Sequence, residues 1–301
     1  MQFGKVNNPE DIDFSIPSDH PDTTSVLNSS KGKDFNAFIG CAKWNKQDLK
    51  GFYPRGTKDE LAYYATQFNC IELNATFYKS PSKEQVKIWY DKTPPHFKFF
   101  PKLPNTISHF KRLVNAKQPT EEFCDAIAHF EEKLGMTFLQ LHDNFKPKDF
   151  ESLKKYLNEF PKVIPLAVEV RNSEWFSDKK YADEYYELIK SHKITNILVD
   201  TAGRRDMMHM RLSTDTAFVR WVGANHPSDY KRLDEWIGRI TKWKNEGLKN
   251  LYFFIHQNVE LESPLLSAYF IEKLNKSLKL DLQIPKTLNS NGTQTSKNET
   301  I

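Results

Sequence analysis

Between residues 35 and 257 the chain alternates, eight times over, between a short apolar run rich in β-branched and aromatic residues and, in most cases, a longer stretch of helical pattern. The runs fall at 35–44, 70–78, 97–103, 136–144, 165–172, 194–201, 217–223 and 250–257. Strand and helix in strict alternation specify an α/β fold built on a parallel sheet. Eight such units close most simply into a (β/α)8 TIM barrel, which leaves no sheet edge exposed. About 250 residues is the ordinary size of that fold. An open, doubly wound sheet is the alternative. Neither a GxGxxG nor a Walker sequence follows any run, so the phosphate-cradling loops common in open sheets are absent.

Local signals mark the helices. Thr57, with Glu60 three residues on, reads as a capping box, and Ser82 and Thr120 precede the next two helical stretches. Gly135 marks where the third should stop, and Pro147 starts another. Further helices are expected at 178–192, 228–246 and 263–278; the segment 202–215 is too short and mixed for one.

With 39% hydrophobic and 27% charged residues, the chain is globular rather than disordered. One domain is expected over 35–284. Residues 1–34 and 285–301 are rich in small polar residues, lack periodicity, and are expected to be flexible tails with too little apolar surface to offset ordering entropy. The three cysteines, Cys41, Cys70 and Cys124, match no zinc or redox spacing and are expected to be core hydrophobes in a reducing compartment. No signal peptide and no membrane-spanning run is expected, which gives a cytoplasmic protein without membrane contact. The net charge of +4 is compatible with an anionic ligand without demanding one. The oligomeric state is left open.

Polar side chains inside the runs are the chemical signal, because barrel strands are buried on both faces and should be almost purely apolar. In the second run Glu72, Asn74, Thr76 and Tyr78 alternate with Ile71, Leu73, Ala75 and Phe77, so the polar set points inward. In the fifth, Glu169 and Arg171 oppose Val168 and Val170. The remaining runs contribute Lys102, Gln140, His142, Asp200, Arg220, His256 and Asn258, nearly all late in their strands. Late polar residues from different strands converge at the C-terminal mouth, where this fold carries its active sites. The bland alternative is an internal network in which Glu169 pairs with Arg171 or Arg220 and Glu72 with Lys102. Trp44 and Trp175 could line the pocket or belong to the core, as could Trp221, and His109 could cap the pocket.

The segments FIGCAKW, FYPRG, FNCIELNATFYKSPS, PPHFKFFPKLPNTISHFKRL, VEVRNSEWF and FVRWVG, in that order from Phe35 to Asn275, resemble the DUF72 family (UPF0759, YecE-like). The resemblance implies a TIM barrel and no established activity. It implies that Trp44, Glu72, Asn74, Thr76, Tyr78, Lys102, His109, Glu169, Arg171, Trp175, Asp200 and Arg220 are the recurrent polar and aromatic positions. Two departures fall at the rim: Lys43 stands where the family usually has a glycine, and His256–Gln257 stand where it usually has paired asparagines.

Three functions fit these residues. The first is a metal-independent, cofactor-free enzyme, a hydrolase or lyase, acting on a small phosphorylated or carboxylated compound. Lys102, Arg171 and Arg220 would grip the anion, with a carboxylate among Glu72, Glu169 and Asp200 in the catalytic role. Glu72, farther from an arginine in sequence, is the better general acid or base, since burial raises a carboxyl pKa and a guanidinium lowers it. The second is a metal-dependent hydrolase or nuclease using Glu72, His142, Glu169, Asp200 and His256, against which three cations share the same rim. The third is nucleic-acid binding without catalysis, through the lysines and aromatics of the loops.

Overall fold

The computed structural model describes residues 4–29, 34–288 and 294–295. All eight expected strands form: β1 (Asn36–Cys41), β2 (Cys70–Leu73), β3 (Lys98–Pro101), β4 (Thr137–Gln140), β5 (Leu166–Glu169), β6 (Thr195–Asp200), β7 (Thr216–Gly223) and β8 (Asn250–Gln257). Every pairing among them is parallel. Six make one curled sheet in the order β1-β8-β7-β6-β5-β4, while β2 and β3 form a separate pair.

Contacts join the two sheets. Single parallel bridges connect Phe99 to Leu134 and Lys102 to Phe138, between β3 and the β4 region. On the other side, Asn69 donates from Nδ2 to the Ala37 carbonyl and accepts from the Ile39 amide, while Tyr64 Oη accepts from the Cys41 amide and donates to the Cys70 carbonyl. Side chains thus occupy the seam where a β1–β2 ladder would run. Gly40 permits the close approach, since a Cβ there would stand 2.4 Å from the Cys70 carbonyl oxygen.

The helices run from α1 (Pro21–Asn28) through α2 (Glu60–Gln67), α3 (Ala75–Tyr78), α4 (Lys83–Asp91), α5 (Lys117–Ile127), α6 (Phe150–Glu159), α7 (Glu174–Ser177), α8 (Lys179–Ser191), α9 (Ser228–Glu246) and α10 (Ser263–Leu278). Helix α9 spans its expected residues, as does α10, and Ser82 caps α4 by accepting from the Gln85 amide. Two caps differ from expectation. Asp59 rather than Thr57 caps α2, and Thr120 lies within α5, bonded to the Ala116 carbonyl. Between β6 and β7 there is a 3-10 segment, Ala202–Met207, and no α-helix.

Apolar residues of the strands divide by parity. Ile71, Leu73, Leu139, Val168 and Val170 pack outward with the helices, as do Leu198, Val219 and Phe253. Cys70, Phe100, Phe138, Ala167, Ile197, Val199, Phe218 and Phe254 form an inner cluster. Its rings meet at 4.7–6.1 Å together with Tyr252, a phenyl-rich floor beneath the strand ends. The three cysteines are buried and free, as expected.

Of the expected flexible N-terminal tail, the described residues 4–29 are instead seated on the molecule. His20 caps α1 through Nδ1, which accepts from the Asp22 amide. Asp19 accepts from Arg239 (2.6 Å), Lys242 (2.6 Å) and Trp243 Nε1 (3.1 Å) on α9. Asp22 pairs with Arg211 at 2.6 Å, and buried Thr23 both donates to the Met210 carbonyl and accepts from the Leu212 amide. Ion pairs and capping hold this arm together with the fully buried Leu27 and the partly buried Ile16, which pack into the apolar cluster under α9 and α10. Of the expected tail at 285–301, residues 289–293 and 296–301 lie outside the described residues. Two short strands, β9 (Thr287–Leu288) and β10 (Gln294–Thr295), pair antiparallel, and the Lys286 amide donates to Gln67.

Candidate functional site

Above the phenyl floor, six strands send polar side chains to one place. Arg220, in the middle of β7, is the hub. Its Nε and Nη2 grip both oxygens of Glu72 (2.9 and 2.8 Å), and its Nη1 donates to Glu169 Oε2 at 2.6 Å. Glu72 Oε1 also accepts from Asn74 Nδ2 at 2.8 Å, and Oε2 lies 3.1 Å from His256 Nε2. Glu169 Oε1 accepts from Arg171 Nε and from Gln140 Nε2, the latter at 3.0 Å. Gln140 Oε1 in turn accepts from Lys102 Nζ at 2.8 Å. One connected chain therefore runs from His256 on β8 through Glu72, Arg220, Glu169 and Gln140 to Lys102, just past β3. The members between His256 and Lys102 hold one another in place by shared hydrogen bonds.

The electrostatics follow from the pairing. Burial opposes ionisation of Glu72, but Arg220 and then His256 outweigh it and hold the carboxyl well below the usual range. Glu169, likewise opposed by burial, is brought down to about 2 by Arg171 and Arg220. Arg220, between two carboxylates, is raised above its ordinary value despite its burial. Glu72 is therefore not the acid with a raised pKa expected from its distance in sequence to an arginine. Arg220 lies 148 residues away along the chain and beside it in space. Both glutamates are fixed anions at neutral pH.

Lys102 behaves differently. It is 4% exposed, its Nζ sits 3.9 Å from the centre of the Phe77 ring, and burial followed by Arg220 and Arg171 brings it down to about 7. The ring face attracts an ammonium by about 1 kcal/mol, which softens this shift without reversing it. Toward the rim, His109 lies 4.9 Å from the Phe77 ring and 5.0 Å from His142, measured between ring centroids. Burial, then His142 and Lys102, lowers His109 to about 4, so it is neutral, with Nδ1 2.9 Å from Ser108 Oγ. Arg171 reaches the rim, where Asp143 approaches it at 4.0 Å.

Several expected site residues do not join this group. Asp200 points to the helix side of β6, where Arg232 (2.8 Å), Trp236 Nε1 (2.7 Å) and Arg205 bind its carboxylate. Trp175 is fully buried, stacked near Phe145 and donating to its carbonyl. Trp44 packs edge-on against Trp89. Because β2 ends at Leu73 and α3 begins at Ala75, the alternation expected through residue 78 stops there. Thr76 consequently donates to the Leu73 and Lys102 carbonyls, tying β2 to β3, and Tyr78 is 76% exposed. Asn258 follows β8, with its Oδ1 buried and without a hydrogen-bond partner among the described residues. Lys43 turns away to pair with Asp48 at 3.1 Å. Phe77 is the site residue that the sequence pattern misplaced, since strand parity assigned it to the helix side. Glu260, not foreseen, stands 4.0 Å from His256 Nδ1.

A parallel α/β fold with a buried ionic network at the C-terminal ends of its strands defines the class of protein. Within that class, the chain belongs to the DUF72 family: the family model described as "Protein of unknown function DUF72" matches residues 38–289. It is similar to the UPF0759 protein YecE of Escherichia coli (strain K12), 25% identical over 263 residues, which cover 80% of this chain and 93% of that protein. It is also similar to the UPF0759 protein YunF of Bacillus subtilis (strain 168), 28% identical over 48% of this chain and 54% of that one. Among solved structures, a DUF72 family protein of Thermotoga maritima aligns at TM-score 0.62 and 26% identity over 81% of this chain and 100% of its own. Another, from Enterococcus faecalis, aligns at TM-score 0.63 and 19% identity, covering 84% and 100% respectively. None of the described helices is long and apolar enough to cross a membrane.

Proposed function

We propose that the two sheets are segments of one (β/α)8 barrel and that its C-terminal mouth binds a small anion, a phosphate or carboxylate compound, for metal-independent chemistry. The observation that carries this reading is the ion balance. Arg220 and Arg171 are matched by Glu72 and Glu169, whereas Lys102, buried beside them, has among the described residues only the neutral Gln140 amide oxygen as acceptor. A bound anion would supply the missing counter-charge, and Arg171, nearest the rim, would offer it a planar guanidinium.

The metal-dependent alternative has less support. Glu72 and Glu169 are engaged by guanidinium groups that a divalent ion would have to displace, and Asp200 lies on the other face of its strand. The catalytic burden also moves. Carboxylates held far below neutral pH are weak bases and supply no proton, while Lys102 titrates near neutrality and suits proton transfer.

Calorimetric titration with inorganic phosphate tests the reading. Binding is expected at pH 6.5 and should weaken about tenfold or more in Arg171→Met, the loss of a charge-assisted pair. Unchanged affinity in both Arg171→Met and Lys102→Met would remove the anion from this site.

A further inference from the structure

We propose that Lys102 is a nucleophile that forms a Schiff base with a small carbonyl compound bearing a carboxylate or phosphate. This deepens the anion-binding reading and rests on it. A comparison within the molecule carries the inference. Lys133 is equally buried, at 3% exposure, and its Nζ donates to the Tyr90 carbonyl (2.7 Å), the Thr93 carbonyl (2.6 Å) and Thr93 Oγ1 (3.3 Å). That is what a structural ammonium looks like: three donors, three acceptors. Lys102, at 4% exposure, has one acceptor, Gln140 Oε1, and among the described residues no carboxylate within ion-pair distance. The remaining positions on its nitrogen are taken by none of the described residues, and they are where a lone pair and a substrate carbon belong.

The surroundings favour an amine over an ammonium. A lysine becomes nucleophilic when it is desolvated or stands beside another cation, and both conditions hold here. Burial at 4% exposure desolvates it, and Arg220 and Arg171 are the cations nearby. Gln140 fixes its direction, since the same amide is held from the other end by Glu169. In the step itself the neutral Nζ adds its lone pair to the carbonyl carbon, forming the C–N bond. The oxygen takes one proton from nitrogen and one from solvent and leaves as water, giving a protonated imine. That product is a cation where the ammonium would be, so the Phe77 face and the anionic group of the same substrate both stabilise it.

Hydride trapping on the full chain tests this. The protein is incubated at pH 7 with glyoxylate and cyanoborohydride, digested, and mapped by mass spectrometry, with acetaldehyde as the uncharged comparison. Lys102 should be alkylated by glyoxylate faster than exposed lysines by a factor on the order of ten or more, given its larger unprotonated fraction. Inorganic phosphate should compete, and acetaldehyde should label Lys102 more slowly. Label confined to exposed lysines, with phosphate still bound by calorimetry, overturns the nucleophile and leaves the anion site standing. Equal labelling of Lys102 by both aldehydes, unaffected by phosphate, keeps the nucleophile and overturns the anion reading.

Discussion

At the scale of single residues, Asp200 and Glu169 make an instructive pair. Both are acids at the end of a buried strand and both are held by arginines, yet they face opposite ways. Glu169 shares the inner parity with Ala167, whereas Asp200 shares the outer parity with Leu198 and meets α9. Lateness in a strand was legible in the sequence; parity in β6 was not, because TNILVD is apolar on both faces and offers no alternation to read. The two roles separate experimentally. Asp200→Asn leaves Arg232 and Arg205 short of a buried counter-charge and should cost about 3 kcal/mol in urea unfolding, with phosphate affinity unchanged. A large loss of phosphate affinity in that variant would place Asp200 back in the site. The pairing of Glu72 was illegible for a different reason. The candidate partners named from the sequence were Lys102 for Glu72 and Arg171 or Arg220 for Glu169, and the register of β7 against β6 and β8 is what aims Arg220 at both carboxylates.

At the scale of elements, the repeating pattern was legible almost everywhere that periodicity is strong. All eight strands form where apolar runs predict them, and α9 and α10 end where expected, because amphipathic spacing and capping are local signals. The failures came from elements held by distant partners. In IELNATFY the alternation continues in sequence past the point where β2 stops, and Thr76 secures the turn by bonding the carbonyls of Leu73 and Lys102. The polar composition of the N-terminal arm predicts flexibility, but its acids meet basic residues some 190–220 positions later. Asp19, 6% exposed at its side chain, satisfies three donors of α9. Asp19→Ala should therefore loosen the arm as a unit. Amide exchange over 14–28 is expected to accelerate at least tenfold, and urea stability to fall by about 1–3 kcal/mol. Exchange in that segment already as fast as in an unstructured peptide would show that the arm does not hold in solution.

At the scale of the whole molecule, the ionic layer makes stability depend on pH in opposite parts of the range. Glu169 has a folded-state pKa lowered to about 2, so the stability it contributes is present above the ordinary glutamate range and is lost as pH falls toward 2. Lys102, lowered to about 7, works on the alkaline side. Between about 7 and 10.5 the unfolded chain carries a proton on this group that the folded chain lacks, so its contribution to stability rises with pH and levels off near 10.5. Lys102→Met should remove that rise, which urea titrations at pH 7 and 9 would detect. On the proposed anion reading, the same group couples to the ligand. At pH 8 the folded protein holds Lys102 mostly neutral, and an anion seated beside it restores the ammonium, so binding must draw a proton from the buffer. Phosphate titrations at pH 8 in buffers of different ionisation enthalpy should show an uptake approaching one proton per anion beyond that owed to phosphate's own titration. That uptake should shrink at pH 6, where Lys102 is already protonated, and vanish in Lys102→Met. Binding without proton uptake at pH 8 would mean that the anion settles on Arg171 alone, away from the buried amine.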